Sequence, residues 1–311
     1  MQYGFGGHFD HGCLYAANSF FDTKTSKHIV WGWITEEDLC DDLRHEQGWS
    51  GLLSLPREIR LQTLENVVRA WKSDLKDITS VEAEPNSRGI STVRTLASQP
   101  VQSVIDQLRQ KASIRRPRLS SPLLQQHSHD LAFTSDDVQT TAWELDCSLK
   151  VSNRCSKIGI QLVHSQSKSK NIIPNPKASS QLTSQPPDPS HKTTLTFHPT
   201  TETFTITRPS FQSSSTNNTA TLINTAPELA PHTLFTTLNP TTNSEETEPL
   251  RIRAWRDNSV LEVFVNERTA ISTRLYAAEE TVGIRFFADD EDDGSAESKL
   301  LQATLWDGIA V

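Results

Sequence analysis

At 311 residues the chain is long enough for two units of roughly 100–200 residues each, so core volume does not limit it. A formal net charge of −8, with 38 acidic residues against 30 basic ones, excludes the Lys/Arg-clustered surface that a nucleic-acid partner requires. Hydrophobic residues make up 35% of the chain, and with no apolar run of about 18 residues no membrane-spanning helix is expected.

The first residues, "MQYGFGGHFDHG", lack the basic and apolar regions of a signal peptide, and the compartment stays open. From Leu14 to about Arg69 strand-length runs alternate with turns: "CLYAANSFFD", "HIVWGWI" and "GLLSLPREIRL". Between two of them, "EEDLCDD" reads as a solvated loop, because five carboxylates together are costly to bury. The pattern predicts a helix in "SQPVQSVIDQLRQK", where Val101, Val104, Ile105 and Leu108 recur at helical spacing, with Ser98 as cap and Pro100 in the first turn. "KASIRRPRLSSPLLQQHSHD" follows without periodicity, as a linker or strap.

From Thr141 the period switches to two. Trp143, Leu145, Cys147, Leu149 and Val151 share one face, and Glu144, Asp146, Ser148 and Lys150 the other. Further strand-length runs come at "KIGIQLVH", "TTLTFHP", "TFTITR", "PLRIRAW", "SVLEVFV", "AISTRLY", "TVGIRFFA" and "LLQATLW", which together predict a β-sandwich. Polar residues crowd the stretch from about Ser165 to Glu248, read as long loops. "DDEDDG", Asp289 to Gly294, reads as a hairpin tip.

Cys13, Cys40, Cys147 and Cys155 lie in neither a disulfide framework nor a zinc spacing. The sequon at Asn217 is the single glycosylation motif. His8, Asp10 and His11 could be imagined as a metal cluster, but their spacing places neighbours on opposite strand faces, so no metal is expected, and no cofactor.

"FDHGCLYAANSFFD", "IVWGWITEEDL" and "GWSGLLSLPREIRL", in that order, resemble the later blades of the five-bladed β-propeller in glycoside hydrolase family 32, the invertases, inulinases and levanases. "LASQPVQSVIDQLR" resembles that family's inter-domain helix, and "RDNSVLEVFVNERTAISTRLY" a hairpin of its C-terminal sandwich. The resemblance implies an all-β fold: terminal blades of a five-bladed β-propeller over residues 1–97, a connector helix and linker over 98–125, and a C-terminal β-sandwich over 126–311. It also implies that the glycines of Gln47–Glu58 allow close packing near a propeller axis.

Two residues become candidates for binding a small carbohydrate, sucrose or a fructan. Trp33 would stack on a sugar ring, or else pack in the core. Asp10, in the pattern Asp10, Gly12, Tyr15 and Ala16, would hydrogen-bond sugar hydroxyls, or else cap a turn.

Retaining hydrolysis needs a carboxylate nucleophile and a protonated acid/base about 5–5.5 Å apart. In this family these lie in W-M-N-D-P-N-G-like and E-C-like motifs, with a stabilising Asp in R-D-P, all in blades that precede the segment present here. No substitute for them stands in this sequence. Asp257 in "WRDN" reads as a turn residue and Glu262 in "SVLEVFV" as a satisfied buried group. No catalytic residue is therefore expected, and the chain is read as the C-terminal part of a sucrose- or fructan-processing hydrolase, inactive alone. The alternatives are a non-catalytic carbohydrate-binding or interaction module, and a purely structural brace.

Overall fold

The computed structural model describes residues 6–119, 121–124, 130–164, 191–209, 223–276, 281–291 and 297–310. The Asn217 sequon and much of the polar 165–248 stretch lie outside them.

The chain opens with β1 (Leu14–Asp22), β2 (Lys27–Ile34), helix α1 (Asp41–Gln47), β3 (Leu52–Leu53), β4 (Arg57–Ala70), β5 (Val81–Pro85) and β6 (Ser91–Pro100). Helix α2 (Gln102–Leu108) and β7 (Ser113–Arg115) lead into β8 (Ala142–Lys150), β9 (Cys155–His164), β10 (Lys192–His198) and β11 (Thr203–Thr207). Then come β12 (Glu228–Pro231), β13 (Phe235–Leu238), β14 (Glu245–Thr247), β15 (Leu250–Asp257), β16 (Val260–Val265), β17 (Thr269–Arg274), β18 (Thr281–Asp290) and β19 (Lys299–Asp307).

Three antiparallel sheets result. A 5-stranded sheet, β12-β11-β10-β9-β18, faces a 6-stranded sheet, β17-β16-β15-β8-β19-β7. The period-two pattern explains why they pack: Trp143, Leu145, Cys147 and Leu149 of β8 are fully buried, in one cluster with Ile158, Ile160, Leu195, Phe197 and Phe204 of the opposite sheet. The 8-stranded sheet holds β1 to β6 and, unexpectedly, β13 and β14. Phe235 of β13 pairs with Ala70 of β4 and is buried among Val67, Ala70 and Val93.

The expected boundaries at 97 and 125 are therefore crossed twice. Residues inside 126–311 complete the first sheet, while β7, ahead of residue 126, pairs with β19. A hairpin exchanged in this way ties the two units together through backbone hydrogen bonds.

Three local expectations are corrected. The segment from Ser98 to Pro100 does not start a helix, because β6 runs to Pro100 in register with Arg57 of β4. Val101 becomes the N-cap, its N–H held by the Pro56 carbonyl at 2.8 Å; ladder pairing outcompetes the serine cap, and Pro100 sits at a strand end where its missing donor costs little. The helical spacing itself is real, and Ile105 is buried against Trp255 and Phe264. The outer face of β8 is not solvated at Glu144, whose carboxylate is fully buried and takes two hydrogen bonds from Arg109, at 2.6 and 2.5 Å. Nor is "EEDLCDD" a wholly solvated loop, since Glu36 and Leu39 are buried and Asp42 enters α1.

Where the sandwich meets the first sheet, His232 packs edge-on against Phe197, centroids 5.6 Å apart, with Nδ1 3.0 Å from the Thr269 hydroxyl. Burial, helped by the Arg268 charge and opposed by Asn266, holds its pKa well below the ordinary 6.5. Below that value the unfolded chain takes up a proton that the folded chain refuses, so this contribution to stability is complete above pH 6.5 and shrinks as pH falls. The expected size is about 1.4 kcal/mol per pH unit. Urea unfolding of wild type and His232→Gln between pH 7.5 and 5 should therefore give a stability difference with that slope below pH 6.5; a pH-independent difference would show that His232 takes its proton in the folded state.

A candidate binding site and the buried joints beside it

Asp10 begins a tight turn ahead of β1. Its Oδ1 accepts from the Gly12 amide at 2.8 Å, and the next residues lie along β17: His11 N–H donates to Ala270 and Cys13 N–H to Ser272, at 2.9 and 2.8 Å. Only glycine fits at position 12, because a Cβ there would lie 1.9 Å from the Ser272 carbonyl oxygen. This close approach turns the Asp10 carboxylate into the protein. It accepts from the Ser272 amide and hydroxyl, both at 3.0 Å, and pairs with Arg57 Nη1 at 2.9 Å.

Arg57, fully buried at the start of β4, also donates through Nη2 to Glu262 Oε2 at 2.8 Å and to Ser272 Oγ at 2.7 Å. The second Glu262 oxygen accepts from the Leu55 amide at 2.7 Å, and the guanidinium lies 4.8 Å from the centre of the Phe264 ring. Two carboxylates thus share one cation inside the joint, one from the N-terminal turn and one from the sandwich. Burial raises the Glu262 pKa although Arg57 opposes it. The same burial would lower Arg57, but Glu262 and Asp10 outweigh it and hold the guanidinium above its ordinary value.

A second joint lies nearby. Glu36 accepts from Arg274 and from the Tyr276 hydroxyl, and all three side chains are buried. Arg274 reaches Ser259 Oγ at 2.7 Å, and Arg208 donates to Asp38 at 2.5 Å.

The expectation that Asp10 hydrogen-bonds sugar hydroxyls is corrected by this geometry. Its side chain is 1% exposed and its oxygens are engaged by Gly12, Ser272 and Arg57. Trp33 is placed differently. On β2, Val30, Gly32 and Ile34 face inward while Trp31 and Trp33 face outward, 43% and 39% exposed. Trp33 lies 6.5 Å from the Tyr15 ring, and Trp31 6.1 Å from Phe20. Gly51 packs directly beneath the Trp33 indole, where a Cβ would come within 1.6 Å of Nε1 at a φ of +73°. That contact explains one glycine of the Gln47–Glu58 stretch: it clears room for an aromatic platform.

Asp10 and Trp33 are therefore not brought together into one open site. Asp257 sits at the β15–β16 turn, accepting from Asn258 Nδ2 at 2.8 Å, and Asp22 caps a turn through the Lys24 amide at 3.1 Å. Among the described residues no group of three or more His, Cys, Asp or Glu side chains is arranged to hold a metal ion. The sequence reading missed Arg57, Ser272, Glu36 and Arg274. The available signal was Arg57 itself, a cation in a strand-length run, which calls for a buried acid somewhere across the fold.

Comparisons with known proteins agree with one another. The family model for the glycosyl hydrolases family 32 C terminal matches residues 104–307, and that for the glycosyl hydrolases family 32 N-terminal domain matches residues 4–71. An insoluble beta-fructofuranosidase isoenzyme of Arabidopsis thaliana is 41% identical over 63 residues, 20% of this chain and 11% of that protein. The structure of Aspergillus kawachii beta-fructofuranosidase complexed with glycerol superposes with a TM-score of 0.71 at 21% identity, over 99% of this chain and 48% of that one. A fructofuranosidase variant from Schwanniomyces occidentalis complexed with fructosylnystose superposes with a TM-score of 0.56 at 12% identity, over 96% of this chain and 48% of that one. The chain thus spans about half the length of the solved structures it matches. The fold is all-β: propeller blades followed by a β-sandwich.

Proposed function

Since the chain belongs to family 32 of the glycosyl hydrolases, we propose that it is the C-terminal portion of a sucrose- or fructan-processing β-fructofuranosidase, a portion that carries the terminal blades and their sandwich and is inactive alone. The carrying observation is the Asp10–Arg57–Glu262 joint. Asp10 and Glu262 are consumed in holding blades to sandwich, and the equally buried Glu36 and Glu144 are likewise paired with arginines. None is left as a nucleophile or as a protonated acid facing a substrate, the pair that this hydrolysis requires. A small neutral carbohydrate is the ligand class the reading implies, with Trp33 and Tyr15 as the aromatic surface that meets it. No nucleic acid and no membrane partner enter it.

Purified chain incubated with sucrose and with inulin should release no fructose above a blank. Turnover that disappears in Asp22→Ala or Asp257→Ala, neither of which touches the joint, would show a catalytic carboxylate in this chain and sink the proposal.

A further inference from the structure

An edge strand offers unpaired backbone groups to any other strand, and proteins guard such edges with charges, prolines, short length or a covering segment. Most edges in this chain follow that rule. Strand β5 carries Glu82 and Glu84 and ends at Pro85, β12 runs from Glu228 to Pro231, and β14 exposes Glu245 and Glu246. Strand β3 is two residues long, and β7 ends at Arg115, followed by Arg116 and Pro117. Two further edges are covered: the His11 and Cys13 amides donate to Ala270 and Ser272 of β17, and the Ala132 amide donates to Ile284 of β18 at 2.8 Å.

Among the described edges, β1 is the exception. It is nine residues long, contains no lysine, arginine or proline, and none of its residues is buried. Its one charge, Asp22, stands at the last position and is turned back into the following turn, where it accepts from the Lys24 amide at 3.1 Å and the Thr25 hydroxyl at 2.5 Å. An irregularity at Ala16, whose φ is +47°, breaks the ladder between Tyr15 and Asn18. The uninterrupted edge is therefore residues 18–22, each paired on its inner side with one of residues 27–31 of β2. It lies at the end of β1 away from the Cys13 bond to β17, clear of the sandwich.

We propose that this edge pairs with the same edge of a second copy of the chain, forming a two-fold symmetric dimer whose first sheets run on from one copy to the other. The run is complementary to itself. With the strands antiparallel and the axis at Phe20, Phe20 faces the partner's Phe20, Asn18 faces the partner's Asp22, and Ser19 faces the partner's Phe21. No like charges are opposed, the aromatic pair sits on the axis, and the Asn18 amide brings a donor to a carboxylate. Each copy offers one such edge, so the assembly closes at two. The pairing is smaller than the roughly 800 Å2 per partner of a standard interface, which makes the dimer reversible, with a Kd of about 10–100 μM. The inference does not depend on the hydrolase reading.

The test is sedimentation velocity of the full chain from about 1 to 200 μM, a range that brackets this Kd. A reversible monomer–dimer equilibrium without larger species is expected. Ser19→Lys, at an exposed edge position, weakens the dimer at least about tenfold, and Leu61→Lys, also exposed but on β4, leaves it unchanged. Under mild oxidation Phe20→Cys gives a disulfide-linked dimer, because directly opposed Cβ atoms lie about 4.5–5.5 Å apart, whereas Lys24→Cys in the hairpin turn does not. A chain that stays monomeric throughout overturns the proposal and assigns the edge to a strand of some other polypeptide. Growth beyond the dimer overturns it too, as does equal weakening by Ser19→Lys and Leu61→Lys, or cross-linking no better in Phe20→Cys than in Lys24→Cys.

Discussion

Arg57→Ala is expected to destabilise the chain by about 3–5 kcal/mol, the cost of stranding buried charge without its partner. The size follows from what remains behind. Asp10 and Glu262 are both almost wholly buried, and each has Arg57 as its counter-ion. Asp10 keeps its bonds from Gly12 and Ser272, and Glu262 keeps the Leu55 amide, so part of the solvation survives. Two negative charges with no cation between them do not. Removing charge on all three sides should recover part of the loss: Arg57→Met combined with Asp10→Asn and Glu262→Gln leaves no buried charge without a counter-ion, while the side-chain carbonyls still accept from the Gly12, Ser272 and Leu55 amides. Urea unfolding at pH 7 measures both. A loss below about 1 kcal/mol in Arg57→Ala would mean that water or a rearranged side chain replaces the guanidinium, and the joint would lose its importance.

The second large effect concerns the exposed aromatic platform. Strand β1 is an edge strand, and Tyr15, Phe20, Trp31 and Trp33 stand 39–67% exposed on it and on β2. An unpaired edge beside a broad apolar face is a template for association. The chain should therefore associate as its concentration rises, and a charged residue on the edge should suppress this. Light scattering of the full chain against Phe20→Lys and Trp31→Lys is the check: association falling several-fold in both variants is expected. Equal scattering from all three proteins would place the contact elsewhere. If residues 1–97 are made alone, association should be stronger still, because Phe235 and the β13–β14 hairpin no longer cover β4.

What the sequence conveys depends on which force positions each residue. Strands β8 to β11 and β15 to β19 are legible, because they are strand-length runs rich in apolar residues that alternate along β8, although β16 and β17 are buried on both faces, which alternation alone does not predict. Strands β5 and β12 to β14 are not, since they are short and polar, and β14, Glu245–Thr247, is exposed at all three positions. Their place is set by ladder hydrogen bonds, which leave no pattern in the side chains. The β6–α2 boundary fails for a related reason: Ser98 is a good cap on local grounds, and the register with Ile59 overrides it.

Charges mislead in the same way. Glu36, Glu144 and Asp10 read as solvent- or ligand-facing when their neighbours alone are considered, and each is buried against an arginine 35 or more residues away in the chain. Glu262 was legible as a satisfied buried acid because its strand is apolar throughout. Its partner Arg57, 205 residues earlier, was not. Of the two site candidates, Trp33 remains open to a ligand, whereas the chemistry of Asp10 is spent at the joint.

The central claim is that blades and sandwich form one cooperative body, joined by the exchanged β13–β14 hairpin and by the buried charges of Asp10, Arg57 and Glu262. Urea unfolding followed in parallel by tryptophan fluorescence and far-ultraviolet circular dichroism tests it most directly. Trp31, Trp33 and Trp49 report on the first sheet and Trp143 and Trp255 on the sandwich, so a single transition with coincident midpoints is predicted for the wild-type chain. Two separated transitions in the wild-type chain would contradict the claim and reduce the joint to a surface contact between independent domains.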